Sequence, residues 1–141
     1  MKKSWVIVAN KSSARIFEQK KKNSLTLVEC LYNPEAKVKE ADIVSDRIGS
    51  SAQSNGHGHQ SFSSKTSAKE YGEEVFAKEI NDFLEKSRNK NSFKDLVVIA
   101  PPSFLGVIKK KLNKELSKQV VSYMNKDFSS KEDNEIAKLV A

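Results

Sequence analysis

The sequence predicts one three-layer α/β/α domain on a mixed five-stranded sheet, with its elements in the order β-β-β-α-β-α-β-α. Three observations carry this. The first third of the chain holds three short apolar runs separated by polar breaks. Two later apolar runs, Asp95–Ala100 and Val120–Asn125, each follow a stretch with helical periodicity. Hairpin-linked strands followed by two crossover units then combine antiparallel and parallel pairs in one sheet, with helices on both of its faces. A length of 141 residues is that of one ordinary domain, and such a chain builds a core without covalent staples.

Each element has a local reason. Ser4–Asn10 is an apolar run bounded by polar residues. Ala14–Glu18 follows the turn-like Asn10-Lys11-Ser12-Ser13, and Leu25–Leu31 follows Lys20-Lys21-Lys22-Asn23-Ser24. Their β-branched content and short breaks predict an antiparallel meander, with Cys30 a small packing residue near the end of the third strand. Asn33-Pro34-Glu35 marks a turn. Gly49–Lys65 is rich in Ser and Gly, nearly bare of apolar side chains, and holds both histidines; it cannot build a core and is expected to be a mobile loop. Ser67-Ala68-Lys69-Glu70 fits a capping box. Tyr71, Val75, Phe76, Ile80, Phe83 and Leu84 then share a helical face, and the helix is expected to fade near Arg88–Asn91. Asp95–Ala100 is continuously apolar, as a strand buried on both faces requires. Pro101-Pro102 ends it. Ser103 is expected to cap a helix with Phe104, Leu105, Ile108 and Leu112 inward, and Asn113 to start a further short helical turn. Val120–Asn125 is the fifth strand. Ser129 or Ser130 is expected to cap a terminal helix carrying Ile136, Leu139 and Val140.

Composition narrows the function classes. Hydrophobic residues are 38% of the chain and charged residues 30%, as in a soluble globular domain. No apolar run approaches the ~18 residues of a spanning helix, so no membrane insertion is expected. Trp5–Ala9 is too short for the apolar core of a signal peptide. A single cysteine, Cys30, excludes an intramolecular disulfide and a multi-cysteine zinc site, and a reducing cytoplasm is the expected compartment. The formal net charge is +7, which attracts phosphate backbones and anionic surfaces without choosing among them. Lysines cluster at 20–22 and 109–111; each cluster reads either as a solvated face or as a phosphate contact.

The ribonuclease H-like fold has this element order, but two-metal nuclease chemistry needs converging carboxylates. The first strand carries no Asp or Glu and ends at Asn10, while Glu18 and Glu29 stand apart. The pattern argues against a metal nuclease, and no metal or other cofactor is expected. Gly56-His57-Gly58-His59-Gln60-Ser61 has Ser61 where a dinucleotide fingerprint needs its third Gly, and lacks the flanking strand and helix. His57 and His59 offer two ligands in a loop, too few for a closed metal site, and read more simply as an exposed pair titrating near neutrality. No serine sits in a nucleophile elbow. Asp46-Arg47 reads as a local ion pair or loop anchor.

Several of these stretches occur together in a recognisable order. Trp5–Asn10, Ala14-Arg15-Ile16-Phe17, Asn33-Pro34-Glu35-Ala36, Ser45-Asp46-Arg47 with Gly49, Ala100–Gly106 and Lys126-Asp127 resemble the bacterial host attachment protein family. The resemblance covers nearly the whole chain. That family is similar to the middle domain of archaeal and eukaryotic peptide-chain release factors, which implies the ribonuclease H-like fold shared with some ribosomal proteins. It also implies that Gly58-His59-Gln60 stands where release factors carry Gly-Gly-Gln, whose Gln positions water against the peptidyl-tRNA ester. His59 departs from that pattern at the middle position, and Ile48 follows Asp46-Arg47 where Pro is frequent. Two expectations follow. In the first, the protein associates with ribosome or tRNA as a rescue hydrolase; His57, His59 and Gln60 form the tip, Gly58, His59 and Gln60 are its catalytic candidates, Gly56, Asp46 and Arg47 belong to the loop, and Lys109, Lys110 and Lys111 contact phosphate. In the second, it is a non-enzymatic protein that serves attachment to host cells or surfaces through protein partners.

Overall fold

A computed structural model describes residues 3–34 and 71–140. Among them are five strands: β1 (Ser4–Ala9), β2 (Ser13–Lys21), β3 (Ser24–Tyr32), β4 (Asp95–Ala100) and β5 (Val120–Asn125). Helix α1 is helical over 71–89, and α2 (Pro102–Lys111), α3 (Lys114–Gln119) and α4 (Asp133–Leu139) follow. The sheet order is β3-β2-β1-β4-β5. The meander pairs are antiparallel, whereas β1–β4 and β4–β5 are parallel. The mixed five-stranded sheet and the element order agree with the sequence reading, with α3 the short helical turn expected after Asn113.

Alternation along the strands divides the core in two. Trp5, Ile7 and Ala9 of β1, Ala14 and Ile16 of β2, and Leu96, Val98 and Ala100 of β4 face one way. They meet Phe76, Ile80 and Leu84 of α1, Phe104, Leu105 and Ile108 of α2, and Leu116 of α3. Trp5 lies between Phe83 and Phe93, and Phe76 stacks on Phe104 with ring centroids 5.9 Å apart. Val6, Val8, Phe17 and Ile99 face the other way, against Phe128 and Ile136. Three layers result, with α4 the one helix on the second face among the described residues. Each fully buried Ile, Leu or Phe side chain contributes roughly 1.5–3 kcal/mol through removal from water.

The meander strands outrun their apolar cores. β2 reaches Lys21 because Lys21 pairs with Ser24 across a turn in which Asn23 has φ 62. β3 pairs Glu29 with Ile16 but Leu27 with Phe17, which leaves Val28 as an extra residue in a bulge.

Four side-chain expectations are corrected. Tyr71 is 68% exposed and Val75 36% exposed. The buried arc of α1 runs through Phe76, Ala77, Ile80, Leu84 and Ser87, and residues 71 and 75 lie about 120° and about 100° outside it at 3.6 residues per turn. Ser103 is inside α2 and does not cap it. Pro101 holds the N-cap position and Pro102 the first helical position, where the missing N–H would be unpaired in any case; Leu105 N–H makes an early helical bond to Pro101 O at 2.8 Å. Neither Ser129 nor Ser130 caps α4, whose N-cap residue is Glu132. Along that helix Ile136 and Ala137 are buried, while Leu139 is exposed. The capping box at 67–70 and the loop at 49–65 lie outside the described residues.

Candidate functional site

β1, β3, β4 and β5 all end at one edge of the sheet, and antiparallel β2 begins there. From β1 the chain turns to β2, and from β4 it turns the opposite way to β5. In open α/β sheets such a switch, at the carboxyl ends of the strands, is where ligands bind. The candidate site is this carboxyl edge, between Asn10 after β1 and Pro101 after β4. Asn33, just past the end of β3, belongs to it.

Its polar residues fix one another. Asn10 Oδ1 accepts hydrogen bonds from the Ser12 and Ser13 N–H groups, each at 2.8 Å, which closes the β1–β2 turn in the manner of an Asx turn. Asn33 lies at the end of β3 and is buried. Its backbone N–H donates to Ser12 O at 2.9 Å and its Nδ2 to Lys11 O at 2.8 Å, so β3 clamps that turn. Across the sheet, Arg15 of β2 donates from one guanidinium nitrogen to Asp133 Oδ1 at 2.9 Å and from the other to the Phe128 carbonyl at 3.0 Å. It also lies over the Phe17 ring. Asp127 accepts from both the backbone N–H and the hydroxyl of Ser129, and these bonds, the hydroxyl's first, hold its carboxyl below the usual carboxylate range. Lys126 N–H continues the ladder to Ala100 O at 3.1 Å. A shallow depression beside Arg15 is lined by Lys131, Glu132, Asp133 and Asn134. Its charges are mixed, and both terminal nitrogens of the Arg15 guanidinium are already engaged.

Lys109, Lys110 and Lys111 lie at the far end of α2, roughly 10–14 Å along the helix from its start at the carboxyl edge. Lys109 Nζ sits 4.7 Å from the Tyr123 ring centroid, and Lys110 Nζ is 3.8 Å from Glu74. All three complement the negative end of the helix dipole. The structure does not bring them to the carboxyl edge. Asp46, Arg47, Gly56, His57, Gly58, His59 and Gln60 lie outside the described residues. No group of His, Cys, Asp and Glu able to hold a metal occurs among the described residues, and Cys30 there is a half-buried free thiol. No helix among the described residues is long and apolar enough to cross a membrane. The Arg15–Asp133 pair was not foreseen. Arg15 and Asp127 both stand in the recognised stretches, but nothing in sequence spacing joins them.

This frame defines an open, mixed α/β domain of three layers whose loops gather at one strand edge. The chain belongs to the family described as "Protein required for attachment to host cells", whose model matches residues 5–140. No curated protein matches the sequence. Among solved structures the chain is similar to the archaeal translation termination factor aRF1, at 13% identity and a TM-score of 0.46, over 98% of this chain and 37% of that one. The chain thus spans little more than a third of that factor.

Proposed function

We propose that the protein serves attachment to host cells as a non-enzymatic binding protein that works through a protein partner. The family match over residues 5–140 supports this reading. The carboxyl edge fits it, because Asn10, Arg15, Asn33 and Asp127 order loops there, as a rigid presentation surface requires. The test compares adhesion to host cells by strains with and without the protein, with restoration by the full chain. Reduced adhesion that the full chain restores is expected; unchanged adhesion sinks the reading.

The net charge of +7 favours a second reading, in which a cytoplasmic, release-factor-like protein associates with ribosome or tRNA and acts as a peptidyl-tRNA rescue factor. A ribonuclease H-like classification of the whole chain as one domain belongs to this reading. In it Gly58, His59 and Gln60 form the hydrolytic tip beside Gly56 and His57, Asp46-Arg47 anchors the loop, and Lys109–Lys111 contact phosphate. Co-sedimentation with ribosomal subunits through a salt series, followed by peptidyl-tRNA hydrolysis with Gln60→Ala, tests it. Hydrolysis that the substitution leaves intact would remove the tip assignment.

A further inference from the structure

We propose that the amino edge of the sheet, opposite the carboxyl edge, docks the phosphate backbone of double-helical nucleic acid. β1 and β4 begin there and β2 ends there. Ser4 pairs with Gln19 on one side and Asp95 on the other, and the Lys3 carbonyl accepts the Lys94 N–H at 2.7 Å. Lys20, Lys3 and Lys94 therefore stand at the ends of adjacent strands, roughly 5 Å apart per strand at the backbone. Lys21 and Lys22 extend this row along the β2–β3 hairpin. Lys90 joins it just past the end of α1, where its N–H bonds to Ser87 O.

All six lysines are exposed, and none makes an ion pair among the described residues. The carboxylates on this side are fewer. Glu85 is held by Arg88 at 2.6 Å, and Glu115 lies 3.7 Å from Lys118. Among the described residues, Asp95 and Glu18 stand near the rim without a cation. Three of the lysines are the local run 20–22, and the fold brings Lys3, Lys90 and Lys94 from separated parts of the sequence to the same edge.

The neighbours select the partner. A membrane-binding surface joins basic residues to a cluster of apolar side chains that insert; the aromatic side chains nearest this rim, Trp5 and Phe93, are buried, and Val121 at the start of β5 is exposed there as a single aliphatic residue. Binding to unpaired strands relies on exposed aromatic side chains that stack bases. The exposed tyrosines, Tyr32 and Tyr71, are at the opposite edge. A rim of lysines with no exposed aromatic side chain and no apolar cluster among the described residues suits backbone phosphates, for which flexible ammonium groups act as point charges. This goes beyond the attachment reading and needs none of the residues 56–60.

The experiment titrates the full chain into labelled RNA and DNA duplexes of about 20 base pairs, from about 50 to 200 mM salt. Three proteins are compared: the wild type, Lys20→Gln/Lys21→Gln/Lys22→Gln, and Lys11→Gln/Lys126→Gln/Lys138→Gln. The last removes the same charge from exposed positions elsewhere. Circular dichroism verifies that each is folded. The rim variant is expected to bind about tenfold or more weakly, with a log–log salt slope reduced by about two to three, and the control to lose less than about threefold. Preference for RNA would add contact with its A-form shape, and equal binding would leave backbone contact alone. Equal loss in both variants would overturn the proposal, as would binding to anionic phospholipid vesicles without binding to either duplex. A Gln60→Ala protein that loses hydrolysis yet binds duplex normally would separate this surface from the rescue reading.

Discussion

Arg15 joins residues 118 positions apart: its guanidinium, on β2, takes Asp133 and the Phe128 carbonyl and so fixes where the chain enters α4. Asp127 shapes the same entry by accepting two bonds from Ser129. Its folded pKa is depressed by those bonds. That of Glu85 is depressed first by Arg88 and then by Asn113. A carboxylate with a depressed folded pKa contributes stability that is present above its unfolded value, about 4, and is lost as pH falls through the folded one. Stability should therefore decline below about pH 4, and Asp127→Asn should flatten part of that decline. Urea unfolding between about pH 2 and 6 measures it; an unchanged slope in the variant would refute the assignment to Asp127.

Among the elements, α3 depends most visibly on one side chain. Asn113 Oδ1 accepts the Leu116 N–H at 2.9 Å, Asn113 Nδ2 donates to Glu85 at 2.6 Å, and Asn113 N–H donates to Asn81 Oδ1 at 2.9 Å. The first bond caps α3, and the other two tie it to α1. Asn113→Ala should cost about 1–2 kcal/mol in denaturant unfolding, the range of a lost N-cap; a cost near zero would mean that Leu116 finds another acceptor. Elements of this sort were legible where pattern and punctuation agreed. Asp95–Ala100 is bounded by Lys94 and Pro101-Pro102 and Val120–Asn125 by Gln119 and Lys126, and Asn113 is a favoured cap. Sequence failed where packing decided. Nothing local shows that Tyr71 and Val75 miss the buried arc; the displacement of Ser103 by the paired prolines and the bond of Ser129 to Asp127 are local, but competing local signals at Ser103, Ser129 and Ser130 hid them. The carboxyl edge was legible only as recognised stretches around Asn10, Arg15, Asn33 and Asp127. The contacts that unite them follow from strand order, which no spacing encodes.

At the scale of the molecule, the sheet is the wall between two separate cores. Ile80 lies in the larger one under α1 and Ile136 in the smaller one under α4. Ile80→Ala and Ile136→Ala should each cost about 2–5 kcal/mol, and because the sheet intervenes the double variant should be additive within about 0.5 kcal/mol. Strong coupling in a denaturant double-mutant cycle would show that strain crosses the sheet. The strand order also sets a timetable. β1 obtains β2 from a neighbouring hairpin, but its other partner, β4, lies about ninety residues later in the chain. At roughly 5–20 residues per second of synthesis, that partner arrives about 5–20 s after β1. Until then the newborn meander shows a free backbone edge along Trp5, Val6, Ile7 and Val8, the kind of edge that recruits stray strands. The strand that ends at the centre of the finished sheet is the one that waits longest at its border.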